Sequence, residues 1–212
     1  MARGDPAKLS SEDDTILEAA RRTGDMLGLT GFSLVAVSWE KVTNQGRKGA
    51  KVITPHFPVL EGEKLLISPI LQGRLVAEDW GPILAPSLIF YRKLKRRSTI
   101  GTFLRILPAL LILTGFLVLP EALASPVPLI VGLIVAAVVF FVLGVYSAIR
   151  LDRLLVLEAD KEAAKVIGSA SLIEALRKLE HLRELDAARG GEWPEYGDHP
   201  SITKRIANLQ NP

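Results

Sequence analysis

The sequence of 212 residues contains no cysteine, only two methionines and only three histidines. Without cysteine the chain has no disulfide, no thiolate metal ligand and no thiol nucleophile. His56, His181 and His199 are too far apart in sequence to form the i, i+4 pair that a two-histidine zinc helix requires. These absences exclude thiol enzymes and disulfide scaffolds, and they argue against a helical zinc motif.

The sequence also lacks an early apolar stretch, since residues 1–14 are polar and acidic. We therefore expect no signal peptide. Basic residues are concentrated at 92–97, directly before a long apolar region, rather than distributed over a separate face. This position predicts contact with lipid headgroups and argues against binding of nucleic acid.

Residues 102–149 form two long apolar runs separated by the short linker EALASP. Arg105 and Glu121 are the charged residues in this region. A bilayer core requires about 20 apolar helical residues, and each run is close to that length. The rest of the chain has too little apolar material to enclose two such helices in a soluble core. The sequence therefore predicts a transmembrane hairpin of two helices.

The flanking charges predict the orientation of this hairpin. Residues 92–97 are strongly basic on one side, and Arg150 and Arg153 follow on the other, whereas the linker has no lysine or arginine. By the positive-inside rule, we expect both termini in the cytoplasm and Glu121 outside. The predicted protein is an integral protein of the cell membrane, with membrane lipids among its partners.

The segments on either side of the hairpin have the patterns of a mixed helix and strand domain. A capping Ser11 followed by three acidic residues indicates a helix start. The composition predicts strands at 32–39 and 64–69, a helix from 79, two helices within 150–185 and a short helix at 204–209. We expect an α+β fold in three segments: 1–101 and 150–212 as two halves of one cytoplasmic domain, and 102–149 as the hairpin.

Three stretches in this order resemble the HtpX-like and CAAX-prenyl-protease group of membrane zinc metallopeptidases. Residues 65–71 and 83–85 resemble the strand and the V-L-A sequence that precede the H-E-x-x-H helix of that group. Residues 157–164 resemble its third-ligand helix, and residues 199–209 resemble its C-terminal H-P…R-I-x-x-L sequence. The resemblance implies a zincin-like, mostly helical cytoplasmic domain with a small sheet.

The catalytic positions implied by this resemblance are all replaced. Pro86 and Phe90 stand where the group has its two histidine ligands, and Ser87 stands in place of the glutamate base. Val156 stands at the third ligand when Asp160 is matched to the aspartate of the group. None of these four residues can ligate zinc or act as a carboxylate base. We therefore expect no zinc, no other cofactor and no peptidase activity. Asp160 is expected to pair with an arginine or lysine or to cap a helix.

This interpretation predicts a non-catalytic, metallopeptidase-like accessory, scaffold or regulatory subunit of a membrane complex. A peptide in the vestigial cleft could pair with an edge strand at 64–68 without zinc. Residues proposed for binding are Lys64, Leu66, Ser68, Phe90, Asp160, His199 and Arg205. Small residues expected on exposed hairpin faces are Gly115, Gly132, Ala136 and Gly144.

Two alternatives remain open from the sequence. One is a membrane-bound metallopeptidase, or another hydrolase, with an unorthodox site. The other is a membrane protein whose resemblance to the metallopeptidases is accidental and whose C-terminal helices form a bundle that binds a partner.

Overall fold

The computed structural model describes residues 11–29, 33–40, 53–118, 127–193 and 199–211. This part of the chain is mostly helical and contains one small sheet. Its elements are α1 (Ser11–Met26), β1 (Ala36–Trp39), β2 (Val59–Glu61), β3 (Lys64–Ile67), α2 (Ala77–Ile89), α3 (Lys95–Val118), α4 (Val127–Ile167), α5 (Ser169–Ala188) and α6 (Ile202–Gln210). A 3₁₀ turn lies at Pro69–Leu71, and a π-helical turn at Phe90–Leu94 precedes α3. The predicted linker at 121–126 lies outside the described residues.

The chain divides into two compact units. The first, called unit 1, comprises Met1–Arg92 and Val156–Pro212, and the second, called unit 2, is Lys93–Leu155. The boundary between Leu155 and Val156 falls inside α4. Unit 1 is therefore assembled from two parts of the chain that are far apart in sequence.

The sheet of unit 1 has the strand order β1-β3-β2. The central strand, β3, pairs in parallel with β1 and antiparallel with β2. The prediction that residues 64–68 form an edge strand is therefore wrong. Because β1 and β2 occupy both sides of β3, its backbone is not available to pair with an added peptide.

The strand that sequence patterns missed is β2, which has only three residues. It forms a hairpin with β3 through Gly62, whose φ is 62°. A two-residue hairpin turn favours positive φ, and glycine adopts it without steric cost. This tight connection is what places β3 in the centre of the sheet, because it brings a second partner to the side opposite β1.

The helix pair α1 and α2 packs beside the sheet. α1 buries an apolar stripe of Ile16, Leu17 and Ala20, as expected from its amphipathic sequence. Trp39 of β1 donates a hydrogen bond from Nε1 to Asp13 Oδ1 at 2.8 Å, and its ring contacts Trp80 of α2 edge-on. These contacts connect the sheet to both helices.

Two ion pairs connect α5 to the N-terminal half of unit 1. Lys178 Nζ lies 2.7 Å from Asp79 Oδ1, and Asp79 also accepts a 3.4 Å hydrogen bond from the Val76 amide at the start of α2. Arg74 contacts Asp186 through two hydrogen bonds of 2.6 and 2.9 Å. The Arg74 guanidinium holds the pKa of the Asp186 carboxyl below its ordinary value.

In unit 2, α3 and α4 approach closely at Gly144. A Cβ at this position would lie 2.6 Å from the carbonyl oxygen of Arg105. Arg105 also donates a 2.9 Å hydrogen bond from Nε to Ser147 Oγ, and Ser98 donates one to Asp152. Gly144 therefore faces α3, and the prediction that it lies on an exposed face is wrong. By contrast, the space beside Gly132 is open.

Among the described residues, one helical stretch, Ile134–Ile167 of α4, is long and apolar enough to cross a membrane. Its mean hydropathy is 2.3 in the most apolar window, of which 11% is buried. Large apolar side chains exposed along it include Val138, Val139, Phe140, Phe141, Val142 and Leu143.

A matched pair of glycine substitutions tests the contact between α3 and α4. Alanine is a better helix former than glycine, so Gly132→Ala is expected to be neutral or stabilising. Gly144→Ala is expected to destabilise by about 1–3 kcal/mol, because its methyl group would overlap the Arg105 backbone. Thermal unfolding of both variants in detergent measures the difference, and equal effects would contradict the contact.

Candidate functional site

The centre of the candidate site is the fully buried ring of Phe57. A tight turn places this ring, because the Phe57 amide donates a 3.1 Å hydrogen bond to the Thr54 carbonyl. Phe57 contacts Phe90 edge-on at 5.7 Å and His199 at 5.0 Å between ring centroids. Tyr91 packs against both phenylalanines. The result is an aromatic cluster built from the turn, the end of α2 and the segment before α6.

Beside this cluster, Arg205 of α6 and Asp160 of α4 form a fully buried ion pair. Their side chains are 1% and 0% exposed, respectively. Arg205 donates from Nη2 to Oδ1 at 2.6 Å and from Nε to Oδ2 at 2.9 Å, the two-pronged geometry that suits guanidinium and carboxylate. Its Nη1 donates to the His56 carbonyl at 2.7 Å. The prediction that Asp160 pairs with a basic residue is confirmed.

The Arg205 guanidinium also contacts the aromatic cluster, with Cζ 5.5 Å from the centroid of the Phe57 ring. A cation over an aromatic face is attracted by the ring quadrupole, and more strongly where water is excluded. Arg205 thus contacts a carboxylate, a backbone carbonyl and a ring at once. These contacts use its planar charge and several of its N–H groups, which lysine could not reproduce.

His56 lies against the same arginine. Burial is the main cause that lowers the pKa of His56 from 6.5 to about 3, and the positive charge of Arg205 adds to it. A hydrogen bond to the Pro200 carbonyl opposes the shift. His56 is therefore neutral at physiological pH. Its Nε2 has no hydrogen-bond partner among the described residues.

The positions matched to the zinc ligands and base of the resembled group are all buried. Pro86 and Ser87 lie on α2, Phe90 caps its end and Val156 lies on α4. Phe90 fills space in the aromatic cluster. Ser87 Oγ has no hydrogen-bond partner among the described residues. Each of these side chains is buried, and none of the four is a carboxylate or an imidazole.

The proposed binding residues separate into two groups. Phe90, Asp160, His199 and Arg205 come together around Phe57. The remaining three belong to the sheet region: Lys64, Leu66 and Ser68. Lys64 and Leu66 both line a groove of about 510 Å³ on the sheet. Lys64 is exposed, whereas Leu66 and Ser68 are largely buried. Of these three side chains, that of Lys64 is the most open to a ligand, and Ser68 does not line the groove.

Sequence reasoning missed the two residues at the centre, His56 and Phe57. They lie in the short segment TPHFP, which has no helical or strand periodicity. A signal for part of the site was nevertheless present, since Asp160 and Arg205 each fall on the apolar face of a helical segment. Buried charges need a partner of opposite sign, so two such residues in one domain predict a pair.

Within the described ranges, no group of three or more His, Cys, Asp or Glu side chains is arranged to hold a metal ion. The buried carboxylate of Asp160 is already engaged by Arg205. In chemical terms the site is a closely packed interior that combines aromatic rings, the imidazoles of His56 and His199 and one buried ion pair.

Comparisons of the chain with protein-family models, with curated proteins and with solved structures find no match.

The buried ion pair is tested by removing one partner and then both. Arg205→Met leaves the Asp160 carboxylate buried and unpaired, which is expected to cost about 3–5 kcal/mol of unfolding free energy. Asp160→Leu combined with Arg205→Met removes both charges and is expected to lose much less. Arg74→Met, at the more exposed pair, is the control and is expected to cost about 1 kcal/mol or less. Denaturant unfolding in detergent measures all three, and a double variant as unstable as Arg205→Met would contradict the account.

The neutral state of His56 predicts acid sensitivity. The pKa of His56 in the folded chain, about 3, lies below the ordinary value of 6.5. Between these two pH values the unfolded chain binds a proton that the folded chain does not. The free energy of unfolding is therefore highest above pH 6.5 and decreases as the pH falls towards 3. Each pH unit in this range is expected to remove up to about 1.4 kcal/mol. Nuclear magnetic resonance of histidine-labelled protein, with His56→Gln for assignment, is expected to show a neutral His56 ring down to pH 4–5. A midpoint near pH 6 would contradict the buried environment.

Proposed function

We propose that this chain is a non-catalytic, metallopeptidase-like integral membrane protein that acts as an accessory, scaffold or regulatory subunit of a membrane complex. One observation carries the proposal: the positions matched to the zinc ligands and base hold buried side chains, and Asp160, one helical turn from Val156, is bound in an ion pair to Arg205. Phe90 and Val156 are buried apolar residues there, and Asp160 is bound to Arg205. Such an interior supports binding through outer surfaces rather than chemistry in a cleft.

The exposed apolar surface of α4 supports the membrane part of the proposal. Val138 to Leu143 are six consecutive residues, each with a large exposed apolar side chain. At 100° per residue, six consecutive positions point in all directions around a helix. A core helix of a soluble protein buries at least one stripe, whereas a helix in lipid can expose apolar groups on every side.

We further propose that α3 and α4 form a transmembrane hairpin with both termini in the cytoplasm. Six basic residues of unit 2 support this orientation: Lys93, Lys95, Arg96, Arg97, Arg150 and Arg153. They flank the apolar parts of α3 and α4 on the ends that connect to unit 1 in sequence. Anionic headgroups of a cytoplasmic leaflet would attract these charges.

The absence of cysteine makes the topology directly testable. Single cysteines are introduced by Ser125→Cys in the linker and by Ser10→Cys and Gln210→Cys near the termini. A membrane-impermeant maleimide is expected to label Ser125→Cys in intact cells and the other two variants only after permeabilisation. Labelling of Gln210→Cys in intact cells, or protection of Ser125→Cys, would contradict the orientation.

The role as a subunit is tested by purifying the tagged full-length chain from its native membrane in mild detergent. We expect a complex that contains at least one other protein in fixed stoichiometry. The Asp160→Leu and Arg205→Met double variant is purified in the same way as a matched control. It shows whether the complex depends on the ion pair. A homogeneous monomer with no attached protein would refute the proposed role.

A further inference from the structure

A groove of about 810 Å³ runs along α1 in unit 1. Asp14, Glu18, Arg22 and Met26 all line it, and their spacing of four residues places them along one face of the helix. Residues of the first turns of α2, the end of α4 and the start of α5 complete the lining. The groove thus lies between elements of one compact unit and is separate from the cluster around Phe57.

The apolar residues of the lining, called the floor of the groove, are partly exposed. Met26 is 50% exposed and Val166 is 48% exposed, and Pro82 and Ile167 add further apolar surface. Exposed methionine suits binding surfaces, because its unbranched side chain adapts to different partners. Apolar side chains at these levels of exposure would gain stability from being covered by a partner.

The charged residues of the lining, called the rim of the groove, are mostly acidic. Among the described residues that line the groove, it carries the carboxylates of Asp14, Glu18 and Glu78 and the guanidinium of Arg22. All four residues are exposed, so their charges remain available to a ligand. The excess of negative charge would attract a cationic partner and repel an anionic lipid surface.

The length of the groove suits a short helix. From Asp14 to Met26 the helix axis advances by about 18 Å at 1.5 Å per residue. A helix of about 12 residues covers this distance, with apolar residues at i, i+3, i+4 and i+7 towards the floor. Basic residues on either side of that stripe would then lie over the acidic rim.

We propose that this groove docks a basic amphipathic helix of a protein partner, with its apolar stripe on Met26 and Val166 and its lysines or arginines opposite Glu18 and Glu78. The inference rests on the proposed role as a subunit and names the surface through which a partner is held. The acidic rim supplies selectivity, and the apolar floor supplies most of the affinity.

The test uses the full-length chain in nanodiscs of zwitterionic lipid, which removes attraction between peptide and membrane charge. The probes are two fluorescent 14-residue helical peptides with the same leucine stripe, one with lysines on its other positions and one with glutamates. We expect the lysine peptide to bind at least about tenfold more tightly, and to weaken with added salt. Equal affinity for the two peptides, or no saturable binding of either, would overturn the inference.

Charge reversal locates the binding. Glu18→Lys combined with Glu78→Lys is expected to weaken the lysine peptide at least about tenfold. Glu184→Lys, at an exposed position of α5 outside the groove, is the matched control and is expected to have little effect. If Glu184→Lys weakens binding equally, the peptide binds elsewhere and the proposal is overturned. If the wild type is a dimer and the double variant a monomer, the groove binds a second copy of the chain, which also overturns the proposal.

The two proposals fail separately. In one case, the native complex survives Glu18→Lys with Glu78→Lys and the lysine peptide does not bind the wild type. The groove proposal is then wrong and the subunit role stands. In the other case, the lysine peptide binds but no native complex is found. The subunit role is then wrong, and the groove proposal stands.

Discussion

The buried contact between Arg205 and Asp160 is the constraint on which unit 1 depends. It joins residues 45 positions apart in sequence, and the hydrogen bond to the His56 carbonyl spans 149 positions. Two charges removed from water are costly unless both are paired and their hydrogen bonds are completed. Because Arg205 achieves this with three groups at once, it fixes α4, α6 and the turn before β2 relative to one another. The same position of the turn inserts Phe57 among Phe90, Tyr91 and His199.

Two parts of the helix α4 differ in which apolar side chains they expose and bury. Val138 to Leu143 expose apolar side chains on every side, whereas Leu155, Val156, Ala159 and Ala163 form one buried stripe. The stripe has the i, i+1, i+4, i+8 spacing of a helix packed on a protein core. The first pattern suits lipid, and the second suits a water-soluble unit. One uninterrupted helix thus contributes to both environments in the proposed membrane protein.

Local sequence predicts the helices well, because composition and capping residues act within a few positions. α1, α2 and the break before α5 follow from such signals. The sheet order does not, since β2 has three residues and its pairing depends on a turn and on contacts with distant segments. The same reason explains the site: Asp160 and Arg205 predict a buried pair, but Phe57 becomes its neighbour only after the whole unit has assembled. For Gly144 the sequence predicts an exposed face, whereas the residue lies against α3. A small residue on a helix indicates that another element comes close, but it does not indicate which element.

The central proposal is that this interior performs no metal chemistry and serves to hold a binding unit together. The most direct test is elemental analysis of the full-length chain, purified from cells supplied with zinc and washed without chelator, together with a peptidase assay on the same sample. The account predicts zinc far below one atom per chain and no peptide hydrolysis above a mock purification. One zinc per chain that is lost when His56 and His199 are replaced by alanine, with hydrolysis lost in parallel, would contradict it.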